Sequence, residues 1–175
     1  MLDESGFLLQ PTRRRTWAPP RGQTPIHRCW ARHDRLSVCG ALTCSPQRQR
    51  LGLYFRLPPH NIRTPDMRAF VALLQRHLRR PLLLILDRWS VHRAALRQLE
   101  AQRPPWLVAA SWLPPYAPEL NPTEQVWNQT KYRDLANYLA DDLAALHEAV
   151  GFSLASQRYR PTLLRSYFRY AKLKL

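Results

Sequence analysis

The pattern of apolar and polar positions gives strands first, then an alternation of helix and strand. Gly6 to Leu9 is a short apolar piece that stops at Pro11 and the Arg13-Arg14-Arg15 run. Residues Trp17 to Gln23 hold two prolines and a glycine, which is loop chemistry. Arg35 to Cys44 and Leu51 to Leu57 read as strands joined in hairpin fashion across Ser45-Pro46-Gln47. The opening third is therefore expected to be an antiparallel meander.

A helix is expected next. Thr64 can serve as its N-cap, Pro65 suits the first helical position, and Asp66 is favourable in the first turn. Phe70, Leu73, Leu74 and Leu78 keep the spacing of a buried stripe, and Pro81 ends it. Leu82 to Leu86 is an unbroken apolar run, the look of a central strand covered on both faces. Val91 to Gln102 predicts a short helix, Trp106 to Leu113 a second apolar strand, and Pro114 to Pro118 a rigid loop. Asn121-Pro122-Thr123-Glu124 opens a helix carrying Val126, Trp127 and Lys131. Asp141 to Ala155 predicts an amphipathic helix with Leu143, Leu146, His147 and Val150 on one side. The tail from Arg158 to Leu175 is basic and aromatic, and helical where it packs. That order of elements is an α/β layered fold with a mixed sheet flanked by helices.

Composition narrows the class. At 175 residues with 45% apolar and 22% charged, the chain has the makings of one packed domain. Its boundaries are expected as a domain over 1–157 with 158–175 packing on it or extending from it. No apolar run approaches the roughly 18 residues of a membrane span, and acids stand where the basic start of a signal peptide would be. A cytoplasmic protein is expected, with no membrane partner. Cys29, Cys39 and Cys44 have neither disulfide nor zinc-site spacing and read as reduced thiols.

The charge balance is the first pointer to a partner. Lys and Arg number 27 against 12 Asp and Glu, a net charge of +15. Between Ser5 and Pro65 the arginines face a single acid, Asp34, where a merely solvated surface would mix signs. Such a surface attracts polyanions, nucleic acid first among them. Arg13, Arg14, Arg15 and Arg21 are too close together for all to be buried and are expected to contact DNA.

The scarce acids cluster in short motifs. Asp87 follows the apolar run Leu82–Leu86, where functional groups collect in open α/β sheets, and equally where an Asp caps the next helix. Glu124 reads by itself as part of a capping box opened by Asn121, and Asp3 by itself as a solvated carboxylate. Taken as a set, three carboxylates from a first strand, a central strand and a later helix can converge. Converging carboxylates repel unless a cation joins them, and hard oxygen ligands select Mg2+ or Mn2+. Two such ions can activate an attacking oxygen and stabilise a leaving one at a phosphodiester.

Four motifs occur in order: Asp3-Glu4-Ser5-Gly6-Phe7, the Trp17 to Pro25 loop, Leu86-Asp87-Arg88-Trp89-Ser90-Val91-His92, and Leu113 to Trp127 with its Pro-Pro-Tyr-Ala-Pro-Glu-Leu-Asn-Pro-Thr-Glu core. Together they resemble the catalytic domain of DDE-superfamily transposases, in the mariner-like bacterial insertion-sequence branch. The resemblance spans nearly the whole chain. It implies a ribonuclease H-like fold and an acidic triad on Asp3, Asp87 and Glu124, with 36 residues between the last two. It further implies two Mg2+ or Mn2+ ions, held and bridged by Asp3 and Asp87 and completed by Glu124. Water would cut at the transposon end, and the freed 3′-hydroxyl would attack target DNA without a covalent protein intermediate. Alternatives are a metal-dependent nuclease of the same fold and a non-enzymatic DNA-binding remnant.

The same resemblance sets expectations about what surrounds the site. His92 reads as either a phosphate contact or a packed residue, and Lys131 as a DNA contact. Trp17, Trp89 and Trp127 read as base-stacking or core residues. Such transposases carry helix-turn-helix modules ahead of this domain, and here Asp3 is the third residue. A shortened first strand is therefore expected, together with a separate or frameshift-fused helix-turn-helix half, or else a decayed remnant. Joining two transposon ends implies a dimer on DNA.

Overall fold

The computed structural model describes residues 1–15, 34–102 and 104–175. A five-stranded mixed sheet forms its centre, in the order β3-β2-β1-β4-β5. These strands are β1 (Leu2–Leu8), β2 (Arg35–Cys44), β3 (Leu51–Arg56), β4 (Leu82–Leu86) and β5 (Leu107–Trp112). The first three form the expected antiparallel meander, and β1, β4 and β5 run parallel. Five α-helices pack on it: α1 (Thr64–Leu78), α2 (Ser90–Ala101), α3 (Thr123–Gln129), α4 (Leu143–Arg158) and α5 (Pro161–Tyr170).

Two apolar clusters sit on opposite faces of the sheet. Leu2, Ala41, Leu84 and Leu86 pack against Met67, Phe70 and Leu74 of α1 and Ala95, Leu96 and Leu99 of α2. Phe7, Val38, Leu42 and Leu53 pack against Trp127 of α3, Val150 and Leu154 of α4, and Leu164 and Phe168 of α5. The strand alternation of the sequence thus feeds two cores at once. No helix among the described residues is long and apolar enough to cross a membrane. Cys39, buried, and Cys44, exposed, are free thiols.

Several expectations shift. β1 begins at Leu2 and takes in the polar Asp3-Glu4-Ser5, because all seven of its residues pair with β2. Against β4 it makes a single register pair, Leu2 with Leu86. β4 is not covered on both faces: Leu83 is 58% exposed, and Val108 beside it on β5 is 67% exposed. The reason is that α3, α4 and α5 cover β1 to β3 and stop short of β4. Thr64 is the first residue of α1, not its cap, and the Asp66 carboxylate accepts from Arg63 N at 2.9 Å. On α4 the buried positions are Leu146, Val150, Ser153, Leu154 and Gln157, and Leu143 and His147 are exposed. Its start is set by Asp142, which accepts from Ala145 N at 2.8 Å.

Candidate active site

The site begins where β1 and β4 meet. Leu2 pairs with Leu86 in parallel register, so the residues that follow, Asp3 and Asp87, lie side by side. Neighbours along a strand point to opposite faces. Asp3 is therefore buried toward α3, and Glu4 turns toward α2. Oxygens of Asp3, Glu4 and Asp87 nevertheless all come within 4.8 Å of one another.

Asp3 is held by one oxygen. Its Oδ2 accepts from Asn121 Nδ2 at 2.9 Å and from Trp127 Nε1 at 3.0 Å. Asn121 is itself fixed, its Oδ1 accepting from Thr123 N at 3.1 Å. The indole reaches Asp3 because position 40, its register partner on β2, is glycine. A Cβ there would stand 2.6 Å from the Trp127 ring, closer than packed carbon atoms come. Phe7 braces the indole edge to face, with centroids 6.5 Å apart. Burial, with Glu4 and Glu124 nearby, pushes the Asp3 pKa up to about 8 despite the indole hydrogen bond.

Asp87 is held by one oxygen as well, from the other face. Its Oδ1 accepts from Trp89 N at 3.0 Å and lies 2.5 Å from His92 Nδ1. It thus serves the start of α2, as a capping Asp would, and keeps its other oxygen. Burial alone would raise its pKa, but the bonds from His92 and Trp89 N outweigh that and bring it below the usual carboxylate range. The His92 ring is fully buried, with its Nε2 3.1 Å from Glu4 Oε2. Burial would discharge the imidazole, but Asp87 and Glu4 on its two sides raise its pKa to about 9. The approach to Glu4 lacks hydrogen-bond geometry, so Glu4 Oε2 is a buried oxygen with no hydrogen-bond partner.

Glu124 lies alongside. Its oxygens are not among those grouped within 4.8 Å, but the carboxylate is near enough to repel Asp3 and Asp87. Burial raises its pKa, partly opposed by Lys131. It does not close a capping box, because the Asn121 N–H that it would accept already donates to Pro118 O at 3.0 Å. Lys131 follows α3 on a π-helical turn, Thr130–Asp134. Buried side chains hold that turn: Gln157 Nε2 donates to Thr130 Oγ1 at 2.8 Å, and Ser153 Oγ to Asp134 Oδ2 at 2.6 Å. The turn aims Lys131 inward, where its Nζ donates to Ser5 Oγ at 2.7 Å.

The other expected residues divide. Arg13, Arg14 and Arg15 are exposed, and Arg14 lies over the Tyr132 ring at 4.6 Å. Arg21 and Trp17 lie outside the described residues. His92 has no exposed face for a phosphate and Trp127 none for a base, since both are buried among their partners. The role of Glu4, and the tie from Asn121 and Trp127 to Asp3, do not follow from the sequence pattern. For Glu4 the only signal was its adjacency to Asp3, and strand alternation counts against a shared site. For Asn121 the signal was an Asn-Pro step opening the helix that carries Glu124, which reads as a cap.

The donor set suits a hard divalent cation. It offers carboxylate oxygens from Asp3, Glu4 and Asp87, one of them a buried oxygen that accepts no hydrogen bond and faces only the His92 ring, in a crowd that a further positive charge would relieve. Among solved structures the chain is similar to complexes of the Mos1 mariner transposase. Among them are the strand transfer complex (18% identity, TM-score 0.59), the paired-end complex with Mn (17%, 0.64) and the paired-end complex with left transposon end (17%, 0.65). Each match covers 98% of this chain and 51–52% of the other, so the chain spans about half the length of these neighbours. At that identity they show the fold, which is ribonuclease H-like. No curated protein matches the sequence. The family model for DDE superfamily endonuclease matches residues 1–147, and the chain belongs to that family.

Proposed function

We propose that the chain is the catalytic domain of a DNA transposase of mariner-like type, cutting and joining DNA strands with divalent metal. The observation that carries this reading is the convergence of Asp3, Glu4 and Asp87 oxygens within 4.8 Å, with Glu124 alongside. The neighbouring paired-end complexes with Mn and with Mg support Mn2+ or Mg2+ as the cation. A bound divalent cation supplies polarisation of the phosphodiester and activation of the attacking oxygen.

Asp3, Asp87 and Glu124 are the catalytic carboxylates in this reading, with Glu4 able to share a first ion and Glu124 completing a second site. The chain's other residues orient these groups. Asn121 and Trp127 fix Asp3 by one oxygen and leave its other oxygen for a ligand. His92 does the same for Asp87. Lys131 sets a positive charge beside Glu124, and Arg13, Arg14, Arg15 and Arg21 contribute to the DNA-facing surface. We read residues 1–157 as the catalytic domain and 158–175 as a segment packed on it. Two copies acting on DNA in the cytoplasm, with a helix-turn-helix half for end recognition, complete the proposal. The bacterial insertion-sequence branch rests on the four motifs alone.

The test is strand cleavage of labelled DNA in Mg2+ or Mn2+ by the purified chain, beside Asp87→Ala and Glu124→Ala. Metal-dependent nicking that falls by more than about a hundredfold in both variants is expected. DNA binding without cleavage, indifferent to both substitutions, would leave a DNA-binding remnant of the fold.

A further inference from the structure

The buried side of α4 carries polar groups that packing alone does not require. Thr130, Ser153, Gln157 and Tyr167 are all buried, beside Val150, Leu154, Leu164 and Phe168 of the second apolar cluster. Their side chains form one network. Tyr167 Oη donates to Gln157 Oε1 at 2.8 Å. Gln157 Nε2 donates in turn to Thr130 Oγ1 at 2.8 Å and to Ser153 Oγ at 3.3 Å. Thr130 Oγ1 donates to Val126 O at 3.0 Å, and Ser153 Oγ to Asp134 Oδ2 at 2.6 Å. Both polar atoms of the Gln157 amide are thus engaged.

A satisfied network of neutral groups adds little net stability, since apolar side chains of the same shape would fill the space about as well. What it supplies is a fixed geometry. Here it grips the π-helical turn at both ends, at Thr130 and at Asp134. Leu135 N donates to Thr130 O at 2.9 Å, which closes the turn over five residues where an α-helix closes over four. Lys131 is the residue after Thr130 and faces the other way, toward β1. Its Nζ donates to Ser5 Oγ at 2.7 Å and lies 5.2 Å from the Phe7 ring centroid. Ser5 and Phe7 share a face of β1 with Asp3. A rotation of the turn about its axis would carry the ammonium out of this place.

We propose that Gln157 is a positioning residue for the reaction: through Thr130 it sets the turn that holds Lys131 at the acidic site. Tyr167 extends the same hold to α5, so the C-terminal segment is tied to the chemistry as well as to the core. This role rests on the reading of the chain as a metal-dependent DNA-cutting enzyme, and it adds the device that orients Lys131.

Lys131, Lys172 and Lys174 are the only lysines of the chain. The full chain labelled with 13C at lysine Cε therefore gives one signal for each, and Lys131→Arg identifies the one that is lost. Thr130→Val keeps the shape and removes the hydroxyl. It is expected to move the Lys131 signal and leave the other two in place, as is Gln157→Leu. Thr130→Ser, which keeps the hydroxyl, is expected to hold the parental position. In single-turnover cleavage of labelled DNA, Lys131→Ala and Gln157→Leu are each expected to lose about tenfold or more. Lys131→Ala/Gln157→Leu is expected to lose no more than Lys131→Ala alone, because Gln157 acts through Lys131. Where Gln157→Leu fails to fold, Thr130→Val takes its place in this cycle. Losses that multiply would make Gln157 a packing residue and overturn the role, as would a Lys131 signal unmoved by the loss of the Thr130 hydroxyl. Either result in a chain that cuts DNA defeats this inference alone. A chain that cuts no DNA defeats the functional reading, while the lysine spectra, which need no cleavage, still decide what holds Lys131.

Discussion

Asp3 and Asp87 lie side by side at the end of a parallel strand pair, but opposite halves of the molecule hold them. On the α3 side everything is closed. Asp3 is buried, and both its ties, from Asn121 and Trp127, come from one short stretch of chain backed by the second apolar cluster. On the α2 side Asp87 is half exposed, and its holder His92 is a buried ring set between two carboxylates. One carboxylate is thus positioned by two neutral donors backed by the core and the other by a buried histidine that also faces Glu4. The difference teaches that a substitution on the first side cannot be purely functional, whereas on the second it largely can.

The sharpest way to break this contrast is at Trp127, the largest fully buried side chain among the described residues. Trp127→Ala is expected to cost about 3–5 kcal/mol in denaturant unfolding. Trp127→Phe keeps most of the ring and the fold but loses the indole N–H, and cleavage is expected to fall about tenfold or more. Parental cleavage by the Phe variant would mean that Asp3 is not oriented from this side.

On the other side, His92→Asn is expected to lower cleavage about 10–100-fold. The folded state should lose less than in Trp127→Ala, and half-saturation by Mn2+, read by electron paramagnetic resonance, should move to higher concentration. A large loss of stability with an unchanged Mn2+ curve would make His92 a core residue and nothing more.

How much of this was legible in the sequence differs between the same two sides. β2, β3, α1, β4, α2 and β5 follow from local period and end signals to within a residue or two, whereas β1 begins four residues before its apolar stretch. Asp87 was legible because an unbroken apolar strand runs straight into it. Asp3 and Glu124 gained meaning only as members of a motif set, since each alone has a commoner structural use. Glu4 was hidden by strand alternation, which sends it to the opposite face from Asp3. The tie of Asn121 and Trp127 to Asp3 was hidden because it spans more than a hundred residues of chain. Local pattern carries no information at that range. The open face at Leu83 was likewise invisible, because a run of five apolar residues reads the same whether one face or both are covered.

A smaller effect sharpens the α3 side alone. Gly40→Ala would set a Cβ 2.6 Å from the Trp127 ring. The ring is too well packed to withdraw freely, so a loss of about 1–3 kcal/mol is expected by denaturant unfolding. Cleavage should fall with it, because displacing the indole displaces the donor to Asp3. Gly6→Ala is the matched comparison on β1. The atoms its Cβ would meet first all belong to the Arg35 guanidinium, the end of a flexible side chain that can move aside. If both variants behave alike, close approach of Trp127 is not what position 40 provides.

The smallest effect tests whether stability on the α1 and α2 face reaches the chemistry at all. Asp66 accepts from Arg63 N at the start of α1 and from His60 Nε2 at 3.0 Å. Its slight burial would raise its pKa, but these two hydrogen bonds outweigh that and bring it below the ordinary carboxylate value. A carboxylate whose pKa is lower folded than unfolded contributes stability above the unfolded value, near 4. That contribution disappears as pH falls through the folded value. Asp66→Ala is therefore expected to cost about 1 kcal/mol at pH 7. The difference from the parent should stay constant down to about pH 5 and shrink below about pH 4. Cleavage at pH 7 should be unchanged, because the hydrogen bonds of Asp66 go to Arg63 and His60 and to neither Asp87 nor His92. A fall in cleavage that tracked the lost stability would mean that Asp87 depends on the whole face, and the contrast between the two sides would narrow to one of degree.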